Sequence, residues 1–284
     1  MAAVAEAPVS TFDASDPTWH WNHPMPSKLN LLTPEQLLSY RTNGYVLVKG
    51  LFSKFEAAEY RREAHALATR LERAGTIDAT WGGGREIAGA KKTIIQHCHD
   101  PQFYVGLYSK MITDDRFTGV AADIIGPNVQ LHHTKMFIKP SEKGSPFPMH
   151  QDYPYFIHGH HSMIAAIVHF DDAPPEKGCV CVYPGSHKLG PLKTRPTELS
   201  LDPAEYPLDK ATLCPADAGD ALFFSYLTIH GSGLNVSSEA RTTLLVQMRD
   251  PEDKPLADVH KSRGQNAMLR GIDPSASRAM AWGT

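Results

Sequence analysis

His150-Gln151-Asp152 places an imidazole and a carboxylate two residues apart. In an extended segment such residues face the same way, so His150 and Asp152 can reach one point while Gln151 turns to the other face. A second histidine, His230, follows the apolar run Ala221-Leu222-Phe223-Phe224-Ser225-Tyr226 and precedes a glycine. That context predicts a buried strand over 221–229 that ends in a turn at the mouth of a barrel. Arg241 lies eleven residues after His230 and opens the alternating run Arg241-Thr242-Thr243-Leu244-Leu245-Val246-Gln247. Alone, each feature has an ordinary reading: a surface hydrogen-bonded pair, a satisfied core histidine, a charge at a strand edge. Together they form a donor set. Two imidazoles and one carboxylate suit Fe(II) and leave three adjacent positions open for a bidentate 2-oxo acid and O2. Guanidinium pairs with a carboxylate through two parallel hydrogen bonds and stays charged, which suits Arg241 to a distal carboxylate. Ser232 can add a hydroxyl donor.

The elements that must carry these residues follow from pattern. Residues 1–30 lack periodicity and read as an extended arm. Thr33-Pro34-Glu35-Gln36 and Ser53-Lys54-Phe55-Glu56 are helix starts with capping boxes. The first helix ends near Asn43-Gly44, the second near Arg73, with a short strand over 45–49 between them. One or two further helices span about 101–126 and end at Gly126-Pro127. From Val129 onward, segments 129–139, 163–170, 179–183, 221–229 and 241–249 are short, apolar or alternating, and bounded by turn residues. Helices first and strands later, without alternation, predict an α+β fold. We read 31–127 as mainly helical support, 128–250 as the β core and 251–284 as a covering segment, in one domain over 1–284.

Composition narrows the function classes. The 284 residues carry 28 Lys+Arg against 31 Asp+Glu, a net charge of −3 that gives no basic footprint for nucleic acid or an anionic membrane. No run of about 18 apolar residues is present, so no membrane span is expected. The opening residues lack a basic start and an apolar stretch, which predicts no secretory leader and a cytoplasmic location. Cys98, Cys179, Cys181 and Cys214 are too scattered for a disulfide framework. Fifteen histidines are many for this length, but adjacent residues on a strand face opposite ways, so His132-His133 and His158-Gly159-His160-His161 are not expected to share an ion. The triple glycine 82–84 lacks the Lys-Ser/Thr of a phosphate loop and reads as a lid or plain loop.

The combination of motifs resembles the phytanoyl-CoA dioxygenase family of Fe(II)/2-oxoglutarate oxygenases over roughly residues 34–249. His150-Gln151-Asp152, His230 with Ser232 and Asn235, and Arg241 match its site pattern. His133-Thr134-Lys135-Met136-Phe137-Ile138-Lys139-Pro140 is similar to the strand before the metal motif. Gly178-Cys179-Val180-Cys181-Val182-Tyr183-Pro184-Gly185-Ser186-His187 and Asp217-Ala218-Gly219-Asp220 match further stretches. The resemblance implies a double-stranded β-helix, a jelly-roll or cupin-like core, with helices packed on one side. It implies Fe(II) on His150, Asp152 and His230, and 2-oxoglutarate held by Arg241 and Ser232, with Gln151, Lys135 and Lys92 as further co-substrate residues. The family chemistry is oxidation of a substrate C–H bond by O2, coupled to decarboxylation of 2-oxoglutarate to succinate and CO2. Where some members place a Trp near the co-substrate, this chain has Ala165-Ala166-Ile167-Val168-His169.

The expected activity is hydroxylation, desaturation or cyclisation of a small organic metabolite, in specialised metabolism. Asp152 argues against halogenation, because related halogenases replace this carboxylate with a small residue. Two alternatives stand beside this reading: an acyl-CoA 2-hydroxylase, and a non-catalytic cupin-like metal-binding protein, which need not keep Arg241 and Ser232. Phe137, Tyr153, Phe156, His158 and Arg249 are the expected substrate contacts. No nucleic acid or membrane partner is expected, and the chain is read as a monomer or homodimer.

Overall fold

The computed structural model describes residues 13, 15–16, 19–74, 96–141, 146–195, 198–257 and 261–276. Lys92 and the glycines 82–84 lie outside them. The fold is mixed α/β with antiparallel sheets. Four α-helices are described: α1 Pro34–Asn43, α2 Lys54–Arg73, α3 Gly106–Ile112 and α4 Asp115–Ile125. The strands are β1 Tyr45–Val48, β2 Gln96–His99, β3 Val129–Lys139, β4 Phe147–His150, β5 Ile164–His169, β6 Val180–Val182, β7 Thr212–Cys214, β8 Ala221–Ser225, β9 His230–Ser232, β10 Arg241–Arg249 and β11 Met268–Arg270.

Both expected capping boxes form: the Thr33 hydroxyl accepts from Gln36 N–H, the Ser53 hydroxyl from Glu56 N–H, and each N3 side chain reaches back to its cap. Gly44 ends α1 at φ +80°, and a Cβ there would lie 2.5 Å from the His187 ring. Only glycine satisfies both conditions.

One sheet has the order β1-β8-β5-β10-β3-β11, with β2 also on β3; the other has the order β4-β9-β6-β7. Strand alternation sorts the larger sheet's side chains. Met136, Ile138, Ile164, Ala166, Val168, Phe223, Leu244 and Val246 join Leu37, Tyr60, Leu67, Tyr108, Phe117 and Val120 of the helices in one buried cluster. The helices therefore pack on one face of this sheet. On the other face Ala165, Leu222 and Phe224 meet Val180 and Val182 of the smaller sheet.

Several expectations are revised. The strand expected over 221–229 stops at Ser225; Tyr226–Ile229 turn, and His230 opens a separate strand. The chain before α1 is not simply extended: His20–Asn22 form a 3-10 turn that buries Trp21, and Asp123 accepts from the N–H groups of Asn30, Leu31 and Leu32. The covering C-terminal segment supplies a strand, β11, on the edge of β3. No helix among the described residues is long and apolar enough to cross a membrane.

Candidate active site

His150 ends β4 and His230 begins β9, and the two are directly opposite in the antiparallel register. Their rings lie 4.2 Å apart at the centroids. The strand reading of 150–152 needs correction. β4 ends at His150, and Asp152 sits beyond it with helical backbone angles, φ −76° and ψ −20°. Its N–H donates to Tyr226 O at 2.9 Å, so a turn held against the β8–β9 connection delivers the carboxylate. Asp152 Oδ1 is 3.6 Å from His150 Nε2 and 3.7 Å from His230 Nε2. All three residues are buried, and their donor atoms form the one such cluster among the described residues.

The hydrogen bonds behind the imidazoles fix their tautomers. His150 Nδ1 lies 2.8 Å from Pro148 O, and His230 Nδ1 lies 3.0 Å from Thr228 O. A carbonyl only accepts, so each Nδ1 carries the proton and each Nε2 turns its lone pair inward. Burial and the neighbouring His150 push His230 down to about 4, so it is neutral near pH 7. Burial would raise the Asp152 carboxyl, but His230, His150 and Gln247 outweigh it and hold it below the usual range. Two imidazoles and a carboxylate fit a divalent cation.

The cluster lines a cavity of about 320 Å³ that both sheets enclose. Ser232 and Arg241 line the same cavity, as do Val180, Phe224, Ile167 and Thr243. Arg241 is 4% exposed. Its Nη1 donates to Gly178 O, while its Nε has no partner among the described residues. Gly178 has φ +66°, and a Cβ there would lie 2.4 Å from Gly233 O, so the backbone can approach only as glycine. Burial lowers the guanidinium to about 10, which leaves it charged at neutral pH.

Lys139 was missed by sequence reasoning. It stands opposite Arg241 in the β3–β10 register and is fully buried. Its Nζ donates to Ser232 Oγ at 2.8 Å and to Gly233 O at 2.6 Å. Burial and Arg241 pull its ammonium well below the usual lysine range. Neither Lys139 nor Arg241 forms an ion pair with a carboxylate among the described residues. A buried guanidinium without a counter-ion, beside a second buried basic group, is costly, and an anionic ligand offsets that cost.

The remaining expected residues divide. Lys135, Phe137 and Phe156 line the cavity. Lys135 pairs with Leu245, four positions along β3 from Lys139, about 13 Å at strand rise. It therefore lies on the cavity wall away from Arg241, and Lys139 is the lysine that stands opposite Arg241. Gln151 is turned away: its Nε2 donates to Gly190 O and Leu227 O, and its Oε1 accepts from Leu192 N–H. All its polar atoms are committed to holding loops, so it is not a co-substrate residue. Arg249 is likewise structural, donating to the carbonyls of Asp250, Pro251 and Asp253 and to Asn266 Oδ1. Tyr153 packs on His161 and Tyr226, and His158 Nδ1 bonds to Phe156 O; neither is among the cavity-lining residues. His132 and His133 do meet, Nδ1 to Nδ1 at 2.9 Å. The register passes from Gln247–His133 to Met248–Leu131, skipping His132, and such a bulge brings two consecutive side chains together.

A second residue missed from sequence is Gln247, whose Nε2 donates to Asp152 Oδ2 at 2.6 Å. Its place at the inward end of an alternating strand was the available signal.

Among known proteins, the model of the family described as Phytanoyl-CoA dioxygenase (PhyH) matches residues 40–243. The chain is 27% identical over 241 residues to an ectoine dioxygenase of Stutzerimonas stutzeri, covering 75% of each chain. It is 27% identical over 247 residues to the peroxisomal phytanoyl-CoA dioxygenase of Bos taurus, covering 78% of this chain and 69% of that one. Among solved structures, the epimerase SnoN in complex with Fe3+, alpha ketoglutarate and nogalamycin RO superposes with a TM-score of 0.66 at 24% identity, covering 83% of this chain and 98% of that one. The chain is an iron- and 2-oxoglutarate-dependent dioxygenase and belongs to the phytanoyl-CoA dioxygenase family.

Proposed function

We propose that this dioxygenase oxidises a small, mainly apolar metabolite by hydroxylation, desaturation or ring closure, within one domain built on a double-stranded β-helix. The two antiparallel sheets with a shared cavity between them support that core. Iron(II) on His150, Asp152 and His230, with 2-oxoglutarate and O2, supplies the oxidising power, 2-oxoglutarate leaving as succinate and CO2.

The observation that carries the reading is the pairing of that triad with the buried Arg241 in the same cavity. Arg241 presents donors not used by the protein to the distal carboxylate of the co-substrate. Ser232 Oγ already accepts from Lys139, so its own O–H is available to donate to that carboxylate. Phe147, Tyr155, Phe156, Phe137 and Leu245 give the rest of the cavity an apolar wall, with His99, His133 and Lys135 as its polar points. The cavity lies at the lower end of small-molecule site volumes, which favours a compact substrate. The filled Asp152 position favours oxygenation over halogenation.

The test is anaerobic addition of 2-oxoglutarate to the Fe(II)-loaded protein, which should give a visible charge-transfer absorbance. Incubation with host metabolite extracts in air should then yield succinate and products that have gained oxygen or lost two hydrogens, read by mass spectrometry. No charge-transfer band, and no succinate with any extract, would reject the reading.

A further inference from the structure

We infer that Gln247 is a positioning residue for the metal site: it occupies one oxygen of Asp152 and thereby keeps the carboxylate a one-oxygen ligand.

Gln247 is fully buried on β10 and lines the cavity. Its side-chain nitrogen donates to Asp152 Oδ2, whereas Oδ1 is the oxygen close to both imidazoles. An ionised carboxylate only accepts hydrogen bonds, so the amide must turn its NH2 toward Asp152. Its Oε1 then points elsewhere and has no partner among the described residues. The amide cannot gain by flipping, because that would set its carbonyl against a buried anion. A buried acceptor left unmade is costly, and the bond to the charged carboxylate offsets that cost.

The consequence concerns coordination number. A free carboxylate can chelate through both oxygens and would fill one more position at the metal. With Oδ2 held by Gln247, only Oδ1 is offered. Two imidazole nitrogens and one oxygen then leave three positions, the number that a bidentate 2-oxo acid and O2 require. Asp152 is also held from its backbone by the Tyr226 carbonyl, so Gln247 need only fix the rotation of the carboxylate.

The inference rests on the metal reading of the triad, so the experiment uses Co(II) as probe and separates the two. Gln247→Met keeps length and volume, and Gln247→Leu serves as a second apolar variant. Co(II) affinity is measured by calorimetry and the ligand field by visible absorption, on proteins whose melting temperatures are compared first. Loss of this support should weaken Co(II) binding about 10- to 100-fold. The Co(II) spectrum should also shift toward higher coordination, and 2-oxoglutarate should perturb it less. A purely structural Gln247 would lower the melting temperature without moving the spectrum. If wild type binds Co(II) and a folded variant matches it in affinity and spectrum, the inference is overturned. If wild type itself binds no Co(II), the reading of the triad falls, and this inference with it.

Discussion

Lys139 and Arg241 occupy facing positions in the β3–β10 register, and Lys139 also holds the Ser232 hydroxyl at 2.8 Å. Lys139→Met keeps the bulk but removes the donor. A hydrogen bond to a charged group contributes about 1.5–3 kcal/mol, so 2-oxoglutarate should bind roughly tenfold or more weakly while metal affinity stays unchanged. Because Lys139 acts through Ser232, Lys139→Met and Ser232→Ala should be less than additive. Titration of the Fe(II) charge-transfer band with 2-oxoglutarate reads all three variants. Full additivity would separate the two residues.

Arg241 offers a planar fork that lysine lacks. Arg241→Lys should therefore not rescue the loss seen in Arg241→Ala. Removing one partner of a buried charge contact costs 2 kcal/mol or more, about 30-fold in the 2-oxoglutarate dissociation constant. Anaerobic binding titrations would settle it, and an Arg241→Lys protein with wild-type affinity would contradict the fork argument.

Metal binding should also appear as stability. A cation that binds only the folded triad adds about 2.7 kcal/mol at a hundred times its dissociation constant. For a chain of this size that is roughly 5 °C or more in melting temperature. Chelation should remove the increment, and Fe(II) or Co(II) should restore it. His150→Ala and His230→Ala should show no such increment in calorimetry.

Acid should weaken the junction of α2 and α4. Glu56 is held down to about 2, chiefly by its bond to Arg116. Its folded value lies below the ordinary 4.5, so the contribution is present above about pH 4.5 and is lost as pH falls toward 2. Arg116 and Glu56 are 41% and 31% exposed, so screening limits the pair to about 1 kcal/mol or less. Arg116→Ala should melt roughly 2 °C lower near neutral pH, with the gap closing on acidification. A gap that persists at low pH would contradict the assignment.

The sequence by itself determined the parts whose signal is local. Thr33, Ser53 and Gly44 mark helix ends because caps act within one turn of the chain. His150, Asp152, His230 and Arg241 stood out because few residue types suit a metal and a carboxylate. Only the tertiary structure decided which of their neighbours serve the site. Gln151 sits between two site residues yet turns away into loop carbonyls. Gln247 reaches Asp152 across 95 positions, and Lys139 reaches Ser232 across 93. Strand alternation says which residues share a face, but it does not say which strands will be neighbours or in what register. That choice, made when the two sheets close around the cavity, puts Lys139 rather than Lys135 beside Arg241.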